Sequence, residues 1–179
     1  KDIIEKYDIK VVPLNVSFGE DVYIDGQLDN KEFYDRMSKS KELPKTSCPS
    51  PEKFMKAYEG DEDVIVFNMS SKLSGTYSAA LLAKNMILEE DSNKKIAVID
   101  TETGSISQGQ LIIKAAKLVE EGKTFEEIVD YIENIKKDIN VLNKKLENIQ
   151  KEKENYLSDI EDVLEEASSL EQNMQEIDI

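Results

Sequence analysis

After Gly122 the chain contains neither glycine nor proline, and all four of its prolines lie at or before Pro51. These are the two residues that most often stop a helix, so the final third is free to run as one. Thr124 with Glu127 three positions on forms a capping box that starts such a helix near residue 125. From there Ile132, Ile135, Ile139, Leu142, Leu146, Ile149, Lys153, Tyr156, Ile160, Val163, Ala167, Leu170, Met174 and Ile177 recur at alternating spacings of three and four. This is a heptad seam with one interruption, Lys153.

A helix from about residue 125 to the C-terminus measures roughly 80 Å at 1.5 Å per residue, too long to bury on one small domain. Before about residue 139 the stripe is expected to pack on the domain's own core. Beyond it, the 3.5-residue period predicts a coiled coil, formed by self-association or with another long helix. Leu157 and Leu164 widen the apolar face, which suits more than two helices or a helical hairpin. Glu166 and Glu171 would face like charge across a parallel dimer, and from Asp159 onward there is no Lys or Arg. An antiparallel or heteromeric arrangement stays open.

Upstream, strand-like and helix-like runs alternate, as in an α/β domain. Residues 10–18 (K-V-V-P-L-N-V-S-F) read as a strand, placed at an edge or bulge by Pro13, and residues 22–24 as a short second strand ending at Asp25-Gly26. Asp29 with Glu32 starts a helix through about Met37, and Ser50-Pro51-Glu52 starts another. Residues 64–69 and 96–100 are apolar runs of the kind that form buried parallel strands. Between them residues 74–88 carry Tyr77, Leu81, Leu82, Asn85 and Leu88 at helical spacing. A right-handed strand-helix-strand crossover follows. The fold expected is therefore a small parallel-sheet α/β domain over residues 1–140, followed by a helical coiled-coil extension over residues 141–179.

Composition narrows the chemistry. The net charge of -15, from 38 acidic and 23 basic residues, disfavours nucleic acid and anionic membrane surfaces as partners. Histidine is absent, which removes the commonest general base and metal ligand together with every Ser-His-Asp or Cys-His arrangement. The single cysteine, Cys48, has no internal disulfide partner, and neither a signal peptide nor a long apolar segment is visible in these residues. A reducing cytoplasm is the expected setting. No residue stands out as an acid or base, and Cys48 lacks a basic neighbour in sequence, so binding is favoured over catalysis, with no metal or cofactor expected.

Two clusters of hydroxyl side chains stand where helices are about to begin: T-S-C-P-S-P-E-K-F over residues 46–54 and I-V-F-N-M-S-S-K-L-S-G-T-Y over residues 65–77. A helix N-terminus offers unpaired N–H groups and a partial positive charge, so two such ends facing one cleft suit a small anion, a carboxylate or a phosphate. In open α/β sheets that crevice lies beyond the carboxyl ends of the strands, where residues 70–76 and 100–105 fall. Ser74 and Thr76 either touch ligand or cap the helix near Gly75. For Asp100, Thr101 and Ser105 a turn and a helix cap is the preferred role.

Residues 3–140 resemble the N-terminal domain of the DegV family, bacterial proteins that bind a fatty acid and in several cases present it to a fatty acid kinase. The resemblance rests on five blocks in order: I-K-V-V-P-L-N-V-S-F (residues 9–18), D-N-K-E-F-Y-D-R-M (29–37), T-S-C-P-S (46–50), S-S-K-L-S-G-T-Y (70–77) and I-D-T-E-T-G-S-I-S-Q-G-Q-L (99–111). It implies that Thr46 and Ser47, together with Ser70 or Ser71, hydrogen-bond the carboxylate of a long-chain fatty acid; Ser74 is a candidate contact of the same site. An ionised carboxylate accepts several hydrogen bonds and is satisfied by hydroxyls and helix-start N–H groups without a lysine.

The family's opening strand, ending in a T-D-S-like triplet, and its second domain, which covers the acyl chain, have no counterpart in these residues. A second function class therefore stands beside the first: a structural or scaffold protein, or a fusion, in which a truncated DegV-like domain is oligomerised by a coiled coil and binds no ligand.

Overall fold

The computed structural model describes residues 2–177, and every side chain within them except those of residues 140 and 173–177. The chain falls into two compact units, residues 1–133 and residues 134–179. In chain order the elements are α1 (Asp2–Lys6), β1 (Asn15–Phe18), β2 (Asp21–Ile24), α2 (Asn30–Lys39), β3 (Lys45–Ser47), α3 (Pro51–Tyr58), β4 (Val64–Asn68), α4 (Thr76–Glu90), β5 (Ile96–Asp100), α5 (Ser105–Glu120) and α6 (Phe125–Ile177).

The first unit contains two small sheets. β4 and β5 pair in parallel from Val64 opposite Ile96 to Asn68 opposite Asp100, with α4 as the crossover. Successive residues of these strands point to opposite faces. On one face Val64, Val66, Ile96 and Val98 pack with Phe54 and Tyr58 of α3 and Ala80 and Ala83 of α4. On the other, Ile65, Phe67 and Ile99 pack with Ala115 and Leu118 of α5 and Ile128 and Ile132 of α6. Helices on both faces explain why both strands read as continuous apolar runs.

The other sheet is antiparallel, in the order β2-β1-β3. The strand expected over residues 10–18 is paired only from Asn15, which faces Ile24 on one side and Ser47 on the other. Pro13 has no N–H to give a ladder, although the Leu14 carbonyl still accepts from Asp25 N at 2.9 Å. β3 is an addition: three residues ending in the hydroxyl pair Thr46-Ser47, too short to show a period in sequence.

The helix starts are met with one variation. Asp29 accepts from Glu32 N at 2.8 Å. Thr124 N donates to Glu127 Oε2 at 2.9 Å while Glu127 N donates to Thr124 Oγ1 at 3.2 Å, a reciprocal capping box. Ser50 stands at the N-cap of α3 without bonding its backbone; its hydroxyl meets the Glu52 carboxylate instead and holds that group below its ordinary pKa. Gly122 takes φ +74°, and Lys123 N reaches Leu118 O, so α5 closes in a left-handed turn that suits glycine.

The buried face of α4 differs from the expected one. Thr76, Ala80 and Ala83 are buried, whereas Leu82 and Asn85 are exposed. Small side chains on that face let the α4 backbone lie close to α3 and the sheet. In the second unit α6 is unbroken, which rules out a hairpin within it. Leu142, Leu146, Ile149, Tyr156, Ile160, Val163 and Leu170 of the seam are all more than half exposed. Met174 and Ile177, its last two positions, lie outside the described side chains.

Candidate functional site

The carboxyl end of β3 meets the head of α4 at Cys48. Its Sγ lies 3.5 Å from both Ser74 Oγ and Thr76 Oγ1, and those two hydroxyls are 2.7 Å apart. Ser74 Oγ also accepts from Thr76 N at 3.2 Å, satisfying one of the first donors of α4. A Cβ at Gly75 would sit 3.7 Å from Cys48 Sγ, ordinary van der Waals contact, so the sulfur packs directly against the start of α4. The hydroxyls of Ser74 and then Thr76 hold the Cys48 thiol below its ordinary pKa, against the opposing effect of burial. No cation takes part in that shift.

Thr46 and Ser47 are exposed on β3, opposite Val16 and Asn15 of β1. A polar chain reaches Ser47 from α3: Lys53 Nζ donates to Asn15 Oδ1 at 3.3 Å, and Asn15 Nδ2 donates to Ser47 Oγ at 3.3 Å. A lysine is thus coupled to the hydroxyl cluster through one amide. Sequence gave no signal for it, because Lys53 and Asn15 are 38 positions apart.

Ser70 and Ser71 occupy different environments although adjacent. Ser70 is buried; its N–H donates to Thr103 O at 2.7 Å, its hydroxyl accepts from Lys72 N at 3.3 Å, and its carbonyl accepts from Leu73 N and Ser74 N. Its hydroxyl therefore builds the loop. Ser71 is exposed, and its N–H donates to Asp100 Oδ1 at 3.1 Å. Asp100 also accepts from Glu102 N at 3.0 Å, and Thr101 Oγ1 donates to Asn68 O at 2.7 Å. Ser105 is exposed at the first turn of α5 with φ +56°.

Between these loops lie two polar atoms that sequence reasoning passed over. Asn68 Nδ2, at the end of β4, and Thr103 Oγ1, just past β5, are buried without a hydrogen-bond partner. Such groups are uncommon in folded proteins. The only hint was an amide within an apolar strand.

A cleft of about 700 Å³ runs along β4 on the side away from β5, walled by Val12 and Leu14, by Phe54 and Tyr58 of α3, and by Ile112 and Ala116 of α5. It reaches the hydroxyl cluster at Asn68, Met69 and Thr76. One edge group of β4, the Phe67 carbonyl, accepts from Gln108 Nε2 at 3.3 Å. Along a strand edge an extended backbone satisfies N–H and C=O groups that a hydrocarbon leaves unpaired, so the cleft body suits a strand better than an acyl chain. Among the described residues no cluster of acidic or thiol side chains is arranged to hold a metal, and no helix is long and apolar enough to cross a membrane.

Over 138 residues, 75% of its length and 49% of the relative's, the chain is 36% identical to a DegV domain-containing protein of Clostridium perfringens. Among solved structures it resembles DegV, a fatty acid binding protein from Bacillus subtilis, with a TM-score of 0.68 and 34% identity over 76% of this chain and 49% of that one. It also resembles the Streptococcus pneumoniae fatty acid kinase (Fak) B3 protein loaded with linoleic acid, with a TM-score of 0.67 and 32% identity over 70% of this chain and 45% of that one. The chain spans about half the length of these relatives. The family described as "Uncharacterised protein, DegV family" matches residues 1–152, and the chain belongs to the DegV family.

Proposed function

We propose that residues 1–140 bind the carboxylate of a long-chain fatty acid, without performing chemistry on it, and that residues 141–179 form a helix-pairing extension. The carboxylate is held by the hydroxyls of Thr46, Ser47, Ser71 and Ser74, with Ser70 shaping the loop that presents them. The observation that carries this reading is the junction at Cys48, which brings the end of β3 to within hydrogen-bonding distance of the head of α4. The proposed site gathers hydroxyls of β3 and of the loop before α4 with the first N–H groups of that 15-residue helix around this junction. Lys53, acting through Asn15, adds positive potential beside Ser47.

The linoleic acid loaded in the pneumococcal neighbour, and the fatty acid binding named for the Bacillus subtilis one, support the ligand class. The bound acid is presented to a fatty acid kinase in the cytoplasm, a reading supported by the kinase named for the pneumococcal neighbour. The exposed apolar seam of α6 favours a second reading, a scaffold in which the domain is a folded head for a helical assembly and holds no lipid.

Native mass spectrometry of the purified chain, repeated after denaturation and organic extraction, separates the two. Binding gives extra mass per subunit matching a long-chain fatty acid, lost on denaturation, and lowered by Thr46→Val and Ser71→Ala. A clean apo mass supports the scaffold reading, and unchanged lipid in both variants refutes the site assignment.

A further inference from the structure

Charge along the exposed part of α6 is divided into two blocks. Residues 141–153 carry four lysines against two glutamates, whereas residues 154–171 carry seven acidic residues and no Lys or Arg. Both blocks lie on one unbroken helix whose seam side chains are exposed. We propose that α6 pairs antiparallel with α6 of a second copy of this chain, about a two-fold axis passing between Glu154 and Asn155. The proposal rests on reading residues 141–179 as a pairing extension, and specifies its partner, direction and register.

Three observations select this arrangement. A parallel, in-register pair stacks the acidic block on itself and brings Glu166 against Glu171 of the other chain. An antiparallel pair sets each lysine-rich block beside an acidic one. The second observation is the seam interruption. In a parallel pair Lys153 faces Lys153 of the second copy, two ammonium groups in one core layer. In the antiparallel pair each layer joins positions whose numbers sum to 309, so Lys153 packs against Tyr156 of the second copy, whose ring attracts a cation. The polar layer then sits at the dyad and specifies the register, as one polar core residue does in coiled coils generally.

The third observation is the fit of the flanking layers. The same register joins Ile149 to Ile160 and Leu146 to Val163 of the second copy, so aliphatic residues meet on both sides of the dyad. Beside the seam Lys145 comes next to Glu166 of the second copy, twice by symmetry. All six of these side chains are exposed on the isolated chain. A helix interrupted by one lysine thus becomes an interface matched in shape and sign.

The test uses the full chain with Cys48→Ser, so that introduced cysteines stand alone. Leu146→Cys and Val163→Cys are prepared separately, then oxidised alone and mixed, alongside light scattering of the parent chain. The expected result is a two-chain mass, and a disulfide-linked dimer only in the mixture. Residue 146 of one copy lies about 25 Å along the axis from residue 146 of the other, beyond disulfide reach. Lys145→Glu raises the dimer dissociation constant roughly tenfold, and adding Glu166→Lys restores it.

Covalent dimers from each variant alone establish a parallel pair and overturn the direction while leaving pairing intact. A dimer mass with no cross-link in the mixture overturns the register. A one-chain mass at 100 µM, as an order-of-magnitude working concentration for a coiled coil of this length, overturns the pairing itself. Lipid content measured on the chain that keeps Cys48 reports on the fatty acid site independently.

Discussion

Cys48 Sγ and Ser74 Oγ are 3.5 Å apart, and this contact ties the end of β3 to the loop before α4. Thr76 Oγ1 donates to the same sulfur at 3.5 Å. The sulfur is thereby placed at the start of a helix among hydroxyl donors, an environment that favours the thiolate.

The Cys48 thiol is expected to titrate below its ordinary value, because Ser74 first and Thr76 second stabilise the charged form. The rate of alkylation by iodoacetamide, followed against pH, gives the midpoint, and Ser74→Ala or Thr76→Val raises it. The linked effect on folding has a definite sign. A folded-state pKa below the unfolded one adds stability that is fully present above the unfolded pKa and is lost as pH falls through the folded value. A midpoint at or above that of the unfolded chain would refute the hydroxyl contacts. Added long-chain fatty acid slows alkylation when its carboxylate occupies the site.

Ser70 and Ser71 are predicted to separate structure from binding. Ser70→Ala removes a buried hydroxyl that accepts from Lys72 N, at a cost of about 1 kcal/mol in denaturant unfolding, with or without lipid. Ser71→Ala leaves the bond from its own N–H to Asp100 and changes stability by less than about 0.5 kcal/mol, while lowering lipid content. Equal loss of stability in both variants would contradict the different surroundings of the two side chains.

Tyr58 is nearly fully buried, and its hydroxyl donates to Ala80 O at 3.1 Å, joining α3 to α4 beneath the site. Burial pushes its phenol pKa well above the ordinary value, so it stays neutral across the working range. Tyr58→Phe keeps the ring and loses one bond, for about 1 kcal/mol. Tyr58→Ala leaves a cavity beside Phe54 and Ala83 and costs about 3–5 kcal/mol. Urea unfolding of the three proteins orders them; an unchanged Tyr58→Ala variant would mean that the α3–α4 contact contributes little.

The parts legible in sequence were those governed by local pattern. β4 and β5 announced themselves as apolar runs, and the capping boxes at Asp29 and Thr124 marked helix starts because cap chemistry needs particular side chains three residues apart. The heptad spacing gave α6 its length. What stayed hidden depended on residues far apart in the chain. β3 is three residues held by pairing with β1, which has no periodic signature. The buried face of α4 uses Ala80 and Ala83, and hydrophobicity ranks them below the exposed Leu82. The hydroxyl clusters were visible, but the contact of Cys48 with Ser74 across 26 positions and the Lys53–Asn15–Ser47 chain come only from the fold.

The reciprocal capping box of α6 makes the final prediction, because that helix supplies Ile128 and Ile132 to the core from its first two turns. Thr124→Ala removes the hydroxyl that accepts from Glu127 N and is expected to cost about 1 kcal/mol, roughly 2–4 °C in Tm for a chain of this size. Glu127 contributes through its charge. The Thr124 N–H, and then Lys123, hold its carboxylate below the ordinary range. Stability from that group is therefore present above the unfolded pKa and is lost as pH falls through the lower folded value. Glu127→Gln keeps an acceptor for the Thr124 N–H but removes the titration, so thermal melts of this variant flatten across the acidic range relative to the parent. Identical pH profiles for the two proteins would show that the carboxylate is not held by the cap. The same melts report on the core, since a frayed α6 start withdraws Ile128 and Ile132 from Ile99 and Leu118.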